Sequence, residues 1–306
     1  MVTRSHIAVL LVLAWVNLSL ANEWRPSRRV YPYQLPSNGT GPDLQTKTII
    51  GRALKHRVRT GESLLDIARH YHLGYKEIIQ ANPGVDPWVP PVGVKINIPS
   101  SWILPLGEDR GLVLNIPEMR LYYYLSDSQV MTFPLGIGME GWDTPPGEYW
   151  IGEKRTNPVW YVPPSIQREM EVPRKVVPPG PDNPLGRHWM RLSNTPYGIH
   201  GTNNAWAVGR YVTHGCIRLY PEDIAYLFPR IAPMTPVKVI YQYAKVGIRE
   251  DQAYFQVNRY QRRKDTDLLA ELLRQVRGLG LAVDLRGMRN LLRKAQDGAL
   301  IPVPLQ

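Results

Sequence analysis

Cysteine is almost absent: the 306-residue chain holds one, Cys216. No intramolecular disulfide can form. Neither a Cys-x-x-Cys pair nor a His-Glu-x-x-His run is present, so no metal and no cofactor is expected. Long apolar runs are also lacking. The one of note, Ile7 to Leu20, is too short for a comfortable membrane span. Acidic residues are in the minority, 26 against 37 Lys and Arg, giving a net charge of +11. In an exported chain this balance suits anionic envelope polymers or a membrane surface rather than nucleic acid, or it is simply a solvated basic face.

What is present begins with an address. Arg4 and His6 precede the apolar run, and Ser19-Leu20-Ala21 places small residues where a signal peptidase reads. Residues 1–21 are expected to be a cleaved signal peptide, with an uncleaved anchor as the alternative; both export the rest. Export makes the lone thiol conspicuous, because exported cysteines are commonly paired. Cys216 is then either an inert buried residue or a nucleophile. Residues 22–53 mix Pro, Gly, Asn and Ser without period and read as a linker, with a short strand at Thr48 to Ile50.

Residues 54–100 read as strand, helix, helix, strand. A strand at Arg57 to Arg59 meets Thr60-Gly61, and Ser63 can cap a helix bearing Leu64, Leu65, Ile67 and Ala68. Tyr75 to Gln80 forms a second helix, and Val94 to Pro99 returns as an alternating strand. His56, His70 and His72 are expected on its surface. So small a unit has room for binding rather than catalysis. The runs V-x-x-G-E-S-L at Val58 to Leu64 and G-V-K-I-N-I-P at Gly93 to Pro99, with Asn82, resemble the LysM family. The resemblance implies binding to N-acetylglucosamine-containing glycan. With a single copy, avidity from repeats is not available.

From residue 107 to 243 the pattern is β-rich: Leu112 to Ile116 and Met119 to Leu125 as a hairpin, then Val130 to Ile137, Glu148 to Ile151, His188 to Leu192, Gly198 to His200 and Val237 to Tyr241. Between Asn157 and Arg187 proline recurs, from Pro158 through Pro184, as either a wall over a site or an inert excursion. Residues 244–306 are expected to be a basic helical extension. Leucines recur at helical spacing in Asp267 to Val276 and Leu285 to Ala295, and Lys245 to Asp297 holds 12 Lys and Arg against 7 Asp and Glu. Its apolar faces either pack on the preceding domain or touch a membrane surface.

An unaided cysteine is only a few per cent thiolate at neutral pH, so a nucleophile needs a base. Two histidines qualify. His214 lies two residues before Cys216, on the same side if the chain is extended. His200 closes an expected strand and precedes Gly201, as Cys216 follows Gly215. Spacing alone does not choose between them.

I-H-G-T at Ile199 to Thr202 and T-H-G-C-I-R-L at Thr213 to Leu219 resemble the signature of the L,D-transpeptidase catalytic domain. L-N-I-P-E-M-R-L-Y-Y from Leu114, T-P-P-G-E-Y from Thr144 and N-P-L-G from Asn183 extend the likeness. The resemblance implies a β-rich, sandwich-like catalytic domain, within a mixed chain that also carries the small LysM module and the helical extension. It implies Cys216 as nucleophile, His200 as general base and the Gly201 carbonyl as its orienter. The amides of Gly215 and Cys216, with His214, would form the oxyanion hole. Thr213 stands where the family more often has serine. Arg218 either binds a substrate carboxylate or forms a salt bridge with Asp223.

The expected substrates are peptidoglycan stem peptides and glycan, in a periplasm. The acceptor would be a second stem peptide or the lysine of an envelope lipoprotein. The competing expectations are water as acceptor, making a cysteine amidase or carboxypeptidase, and a non-catalytic wall-binding protein.

Overall fold

The computed structural model describes residues 29–36, 46–169, 174–260 and 265–306. The expected signal peptide and much of the expected linker lie outside them. Strand β1 (Tyr31–Pro32) edges the main sheet, and β2 (Ile49–Gly51) precedes the small module. The small module follows as β3 (Leu54–Arg57), α1 (Leu64–His70), α2 (Tyr75–Ala81) and β4 (Lys95–Ile98), with β3 antiparallel to β4. Its first strand starts three residues earlier than the sequence pattern indicates. Strand β5 (Ser101–Ile103) then returns antiparallel to β2.

Helix α1 begins where its residues dictate. The Asp66 amide donates to Ser63 Oγ (3.2 Å) and the Ser63 amide to Asp66 Oδ2 (3.0 Å), a reciprocal cap. Leu64, Ile67 and Ala68 are fully buried beneath it with Ile78, Ile96 and Ile98. One expectation is corrected. His56 is not a surface residue: its Nε2 is 2.7 Å from Glu62 Oε2 and its Nδ1 is 3.1 Å from the Tyr71 hydroxyl, both inside the module. His72 is likewise largely enclosed, with Nδ1 3.6 Å from Asp223 Oδ1 of the next domain.

That domain runs β6 (Gly111–Asn115), β7 (Arg120–Ser126), β8 (Gln129–Pro134), β9 (Ile137–Gly138), β10 (Gly147–Thr156), β11 (Trp160–Tyr161), α3 (Pro164–Gln167), β12 (Val176–Val177), β13 (His188–Leu192), β14 (Gly198–His200), β15 (Tyr211–Thr213), β16 (Ile217–Arg218), α4 (Pro221–Leu227) and β17 (Pro236–Ile240). Among the described residues nine strands join in one mixed sheet, in the order β1-β8-β7-β6-β17-β10-β13-β14-β16. Most neighbours are antiparallel; β6–β17 and β14–β16 are parallel. Leu112, Leu121, Met190, Ile199, Ile217 and Val237 form its core. The alternation in β14 and β16 matters most. Ile199 and Ile217, opposite each other and fully buried, send the flanking residues to the other face.

The last segment does not open as a helix. It starts with the antiparallel pair β18 (Ala244–Arg249) and β19 (Gln252–Val257), followed by α5 (Asp265–Gly278), α6 (Leu285–Lys294) and β20 (Ile301–Pro302). Leu268, Leu272, Val276, Met288 and Leu292 close on Val246, Phe255 and Val257, making a separate core. Most of both leucine faces is used there, while Leu285 stays about half exposed.

The three units are locked together. Cβ atoms at Gly74 or Gly209 would lie 2.7 Å or less from the facing backbone, and the Tyr75 amide donates to Val208 O (3.1 Å) across that seam. Arg69 grips Glu222 with two bonds of 2.7 Å. Lys245 of the last unit is buried against Glu118, 2.7 Å from Oε2, and Glu118 also accepts from the Tyr122 hydroxyl (2.8 Å).

Candidate active site

Strand β14 carries His200 and β16 carries Arg218, directly opposite each other in parallel register, with Cys216 one residue before β16. His200, Cys216, Arg218, Thr213 and His214 all line one cleft of about 590 Å³. The fold treats the two candidate histidines differently. His200 is buried, and its Nδ1 lies 2.6 Å from the Gly201 carbonyl, the contact expected of an orienting group. A carbonyl can only accept, so Nδ1 bears the proton and Nε2 keeps a lone pair. Burial, then the neighbouring Arg218 cation, pushes the His200 pKa down to about 3, against the carbonyls of Gly201 and Leu185. The ring is a neutral base at ordinary pH. His214 is instead turned to the rim, where its Nε2 meets Glu169 Oε2 at 2.7 Å and its ring edge meets Trp142 (4.7 Å).

Cys216 is half-buried and its Sγ is 3.9 Å from the Pro196 carbonyl. Burial pushes the thiol up; the Gly198 amide and Arg218 oppose this.

The turn bearing the thiol is built by its neighbours. Thr213 Oγ1 donates to the Cys216 carbonyl (2.6 Å) and accepts from the Gly215 amide (3.2 Å). Gly215 has a φ of +99°, and a Cβ there would meet the Tyr197 ring at 2.5 Å, so only glycine fits. The Gly215 amide, expected as an oxyanion donor, points at the Thr213 hydroxyl in the absence of substrate. The amides of His214 and Cys216 carry no such bond among the described residues. Thr144, named in the sequence only as part of a motif, locks this turn by donating to the Gly215 carbonyl (2.7 Å).

Arg218 forms no salt bridge with Asp223, whose carboxylate faces His72 instead. Its Nε is buried without a partner. The sheet register sets Arg155, Trp189, His200 and Arg218 in one row across four strands, and Trp189 stacks on His200 at 5.5 Å and 24°. Arg191 joins Arg155 on the lining, so three arginines line the cleft, the outer two paired with Glu153.

The proline-rich segment forms a wall. Trp160, Tyr161, Pro163 and Ile166 line the cleft. Buried Asn183 ties the segment together, donating to Pro158 O (2.8 Å) and accepting from the Leu185 amide (2.9 Å).

This is a β-rich domain with a histidine and a thiol carried by neighbouring parallel strands in a cationic, aromatic-walled cleft. Residues 109–239 match the profile of the L,D-transpeptidase catalytic domain, and residues 56–99 that of the LysM domain. "Probable L,D-transpeptidase YcfS" of Escherichia coli strain K12 is 40% identical over 216 residues, covering 67% of each chain. "Probable L,D-transpeptidase ErfK/SrfK" of the same strain is 36% identical over 229 residues, covering 72% of this chain and 71% of that one. The solved catalytic domain of an E. faecium L,D-transpeptidase is 20% identical, covering 44% of this chain and 100% of that one, with a TM-score of 0.35. The chain belongs to the L,D-transpeptidase family, and its two matched domains imply peptidoglycan binding. Among the described residues no helix is long and apolar enough to cross a membrane.

Proposed function

We propose that this chain is an exported, periplasmic peptidoglycan L,D-transpeptidase that works through Cys216 and His200. His200 Nε2 takes the thiol proton as Sγ attacks the carbonyl carbon of the third stem residue. The oxyanion is held by the amides of Cys216 and His214. As the intermediate collapses, the C–N bond to the terminal D-alanine breaks and His200 returns the proton to the leaving amine. An acceptor amine then attacks the thioester carbonyl, gives a proton to His200, and the released thiolate is reprotonated. The acceptor is the side-chain amine of a second stem, giving a 3→3 cross-link, or the lysine of an envelope lipoprotein. Arg218, half-buried beside the thiol and with its Nε unpartnered, binds a stem carboxylate. The aromatic and proline wall excludes water from the thioester, favouring transfer over hydrolysis.

The observation that carries this reading is the neutral, carbonyl-anchored His200 on the strand beside Cys216, in one cleft. The test is intact-mass spectrometry of the protein with tetrapeptide muropeptides, beside Cys216→Ala. A cysteine-dependent adduct followed by cross-linked dimer is expected. An adduct yielding only tripeptide would make the protein a hydrolase, and an adduct persisting in Cys216→Ala would remove the thiol from the mechanism.

A further inference from the structure

Two half-open indoles meet across the seam between the LysM module and the catalytic domain. Trp88, from the loop between α2 and β4, is 45% exposed, and Trp206, from the short turn Ala205–Ala207, is 52% exposed. Their ring centroids lie 4.4 Å apart with a 45° tilt. A contact whose purpose was packing would bury both rings, since covering an aromatic side chain contributes about 1.5–3 kcal/mol. Here each ring keeps about half its surface in water. Val89 and Val92, 78% and 63% exposed, extend the apolar patch on the module side.

Both turns are fixed from beneath. Asp86 Oδ1 accepts the amides of Trp88 (2.7 Å) and Val89 (3.0 Å), and the Pro87 carbonyl accepts the Leu64 amide (2.9 Å) at the start of α1. Asn204 Oδ1 accepts the Trp206 amide (3.0 Å), capping its turn. The rings are therefore presented in place before any ligand arrives, which lowers the entropic cost of binding. A polar rim is present as well, because Asp66 and Arg69 border the same small hollow as Trp206.

We propose that Trp88 and Trp206 form one platform for a peptidoglycan glycan strand, so that the glycan site is shared between module and catalytic domain. The ligand is a chain of N-acetylated amino sugars. Its pyranose C–H faces lie on the indoles, and its hydroxyl and acetamido groups meet the Asp66 rim. The choice of a saccharide rests on the glycan-binding reading of the LysM module, with which the patch is continuous, and on the pairing of flat aromatic faces with hydrogen-bonding edges. Trp206 also lies between His200 and Cys216 in sequence, so a strand on this platform is held by the loop that joins the two site residues. A single LysM copy lacks avidity from repeats; a second contact on the catalytic domain supplies part of it.

The experiment is calorimetric titration of the whole protein with chitotetraose, for the unaltered chain, Trp206→Ala, Trp206→Phe and Trp88→Ala, with urea unfolding of each. The proposal expects Kd to rise about tenfold in Trp206→Ala and in Trp88→Ala, with Trp206→Phe, which keeps a flat ring, within about threefold of the parent. Weakening in Trp88→Ala alone would confine the glycan to the module and overturn the shared platform. Unchanged affinity in both alanine variants would overturn it as well. If the unaltered chain does not bind chitotetraose, the glycan-binding reading of the module falls and this proposal with it. Should Trp206→Ala unfold at lower urea than the parent, Trp206→Phe decides between ring contact and fold. Near-parental affinity then supports the platform, and affinity lost in a stably folded Phe variant overturns it.

Discussion

His214 Nε2 and Glu169 Oε2 stand 2.7 Å apart, joining the turn that precedes Cys216 to the proline-rich wall 45 residues upstream. Replacing Glu169 with Ala removes this tie while leaving Cys216 and His200 untouched. The thioester should then meet water more often. The ratio of tripeptide to cross-linked dimer is expected to rise about three- to tenfold with acylation within about twofold, for a loss of water exclusion worth roughly 1 kcal/mol. An unchanged product ratio on chromatography of the muropeptides would show that the tie does not govern water access.

Thr213 bonds both Gly215 and Cys216, through one hydroxyl. Thr213→Ser keeps that hydroxyl and should acylate within about twofold of the parent. Thr213→Val keeps the shape and removes the bonds; the acylation rate should fall about tenfold or more, at roughly 1–1.5 kcal/mol per lost bond. Stopped-flow acylation by a carbapenem-type agent measures both.

The pH dependence follows from His200, whose pKa is pushed down to about 3. The base form persists well below the ordinary imidazole range near ~6.5, so kcat/KM for acylation should show no acid limb there. Stability behaves differently. Between about 3 and about 6.5 the unfolded chain binds a proton that folded His200 does not, so the stability present above ~6.5 declines as pH falls through that window. His200→Gln should flatten that part of the urea-midpoint profile. Because burial raises the Cys216 thiol, its alkylation by iodoacetamide should reach half-maximum above the usual free-thiol range of about 8.5.

Arg155 stands three strand spacings from Arg218 along one register row, about 14 Å at ~4.8 Å per strand. Arg191 joins it at the outer end, and both pair with Glu153. A stem peptide carries several carboxylates, and this span suits two of them at once. Arg155→Ala/Arg191→Ala should raise KM for an anionic stem about fivefold with kcat little changed, and should affect a fully amidated stem less. Equal loss on both stems would contradict charge recognition.

Lys245 and Glu118 form a buried pair holding the last unit to the catalytic domain. Glu118→Gln and Lys245→Met should each destabilise by about 3–5 kcal/mol, because each strands a buried charge. The double replacement should cost less than either alone. Urea midpoints of the three variants test this, and additive losses would mean the two charges do not act as a pair.

Much of this molecule is legible in its sequence where local pattern decides structure. Ser63 before Leu64 and Leu65 marks the start of α1, and the leucine spacing marks α5 and α6. His200 and Cys216 stand out because strand ends, glycines and a lone thiol coincide. The β18–β19 hairpin was hidden because its turn is Glu250-Asp251, both at positive φ (51° and 60°), with neither glycine nor asparagine to mark it. The burial of His56 depends on Glu62 and Tyr71 closing over it, which no periodicity encodes. The same holds for Glu169 reaching His214 from an aperiodic, proline-rich stretch. The contact of the Gly215 amide with the Thr213 hydroxyl likewise becomes visible only once the turn is folded.

The contact between Gly74 and Gly209 has a consequence for how such chains can be rearranged. Modules joined by loose linkers can be exchanged, duplicated or respaced without touching their neighbours. Here the two backbones approach too closely to admit even one methyl group on either side. A foreign LysM module would be accepted only if it too presented glycine at this point. The two domains must change in step at this seam.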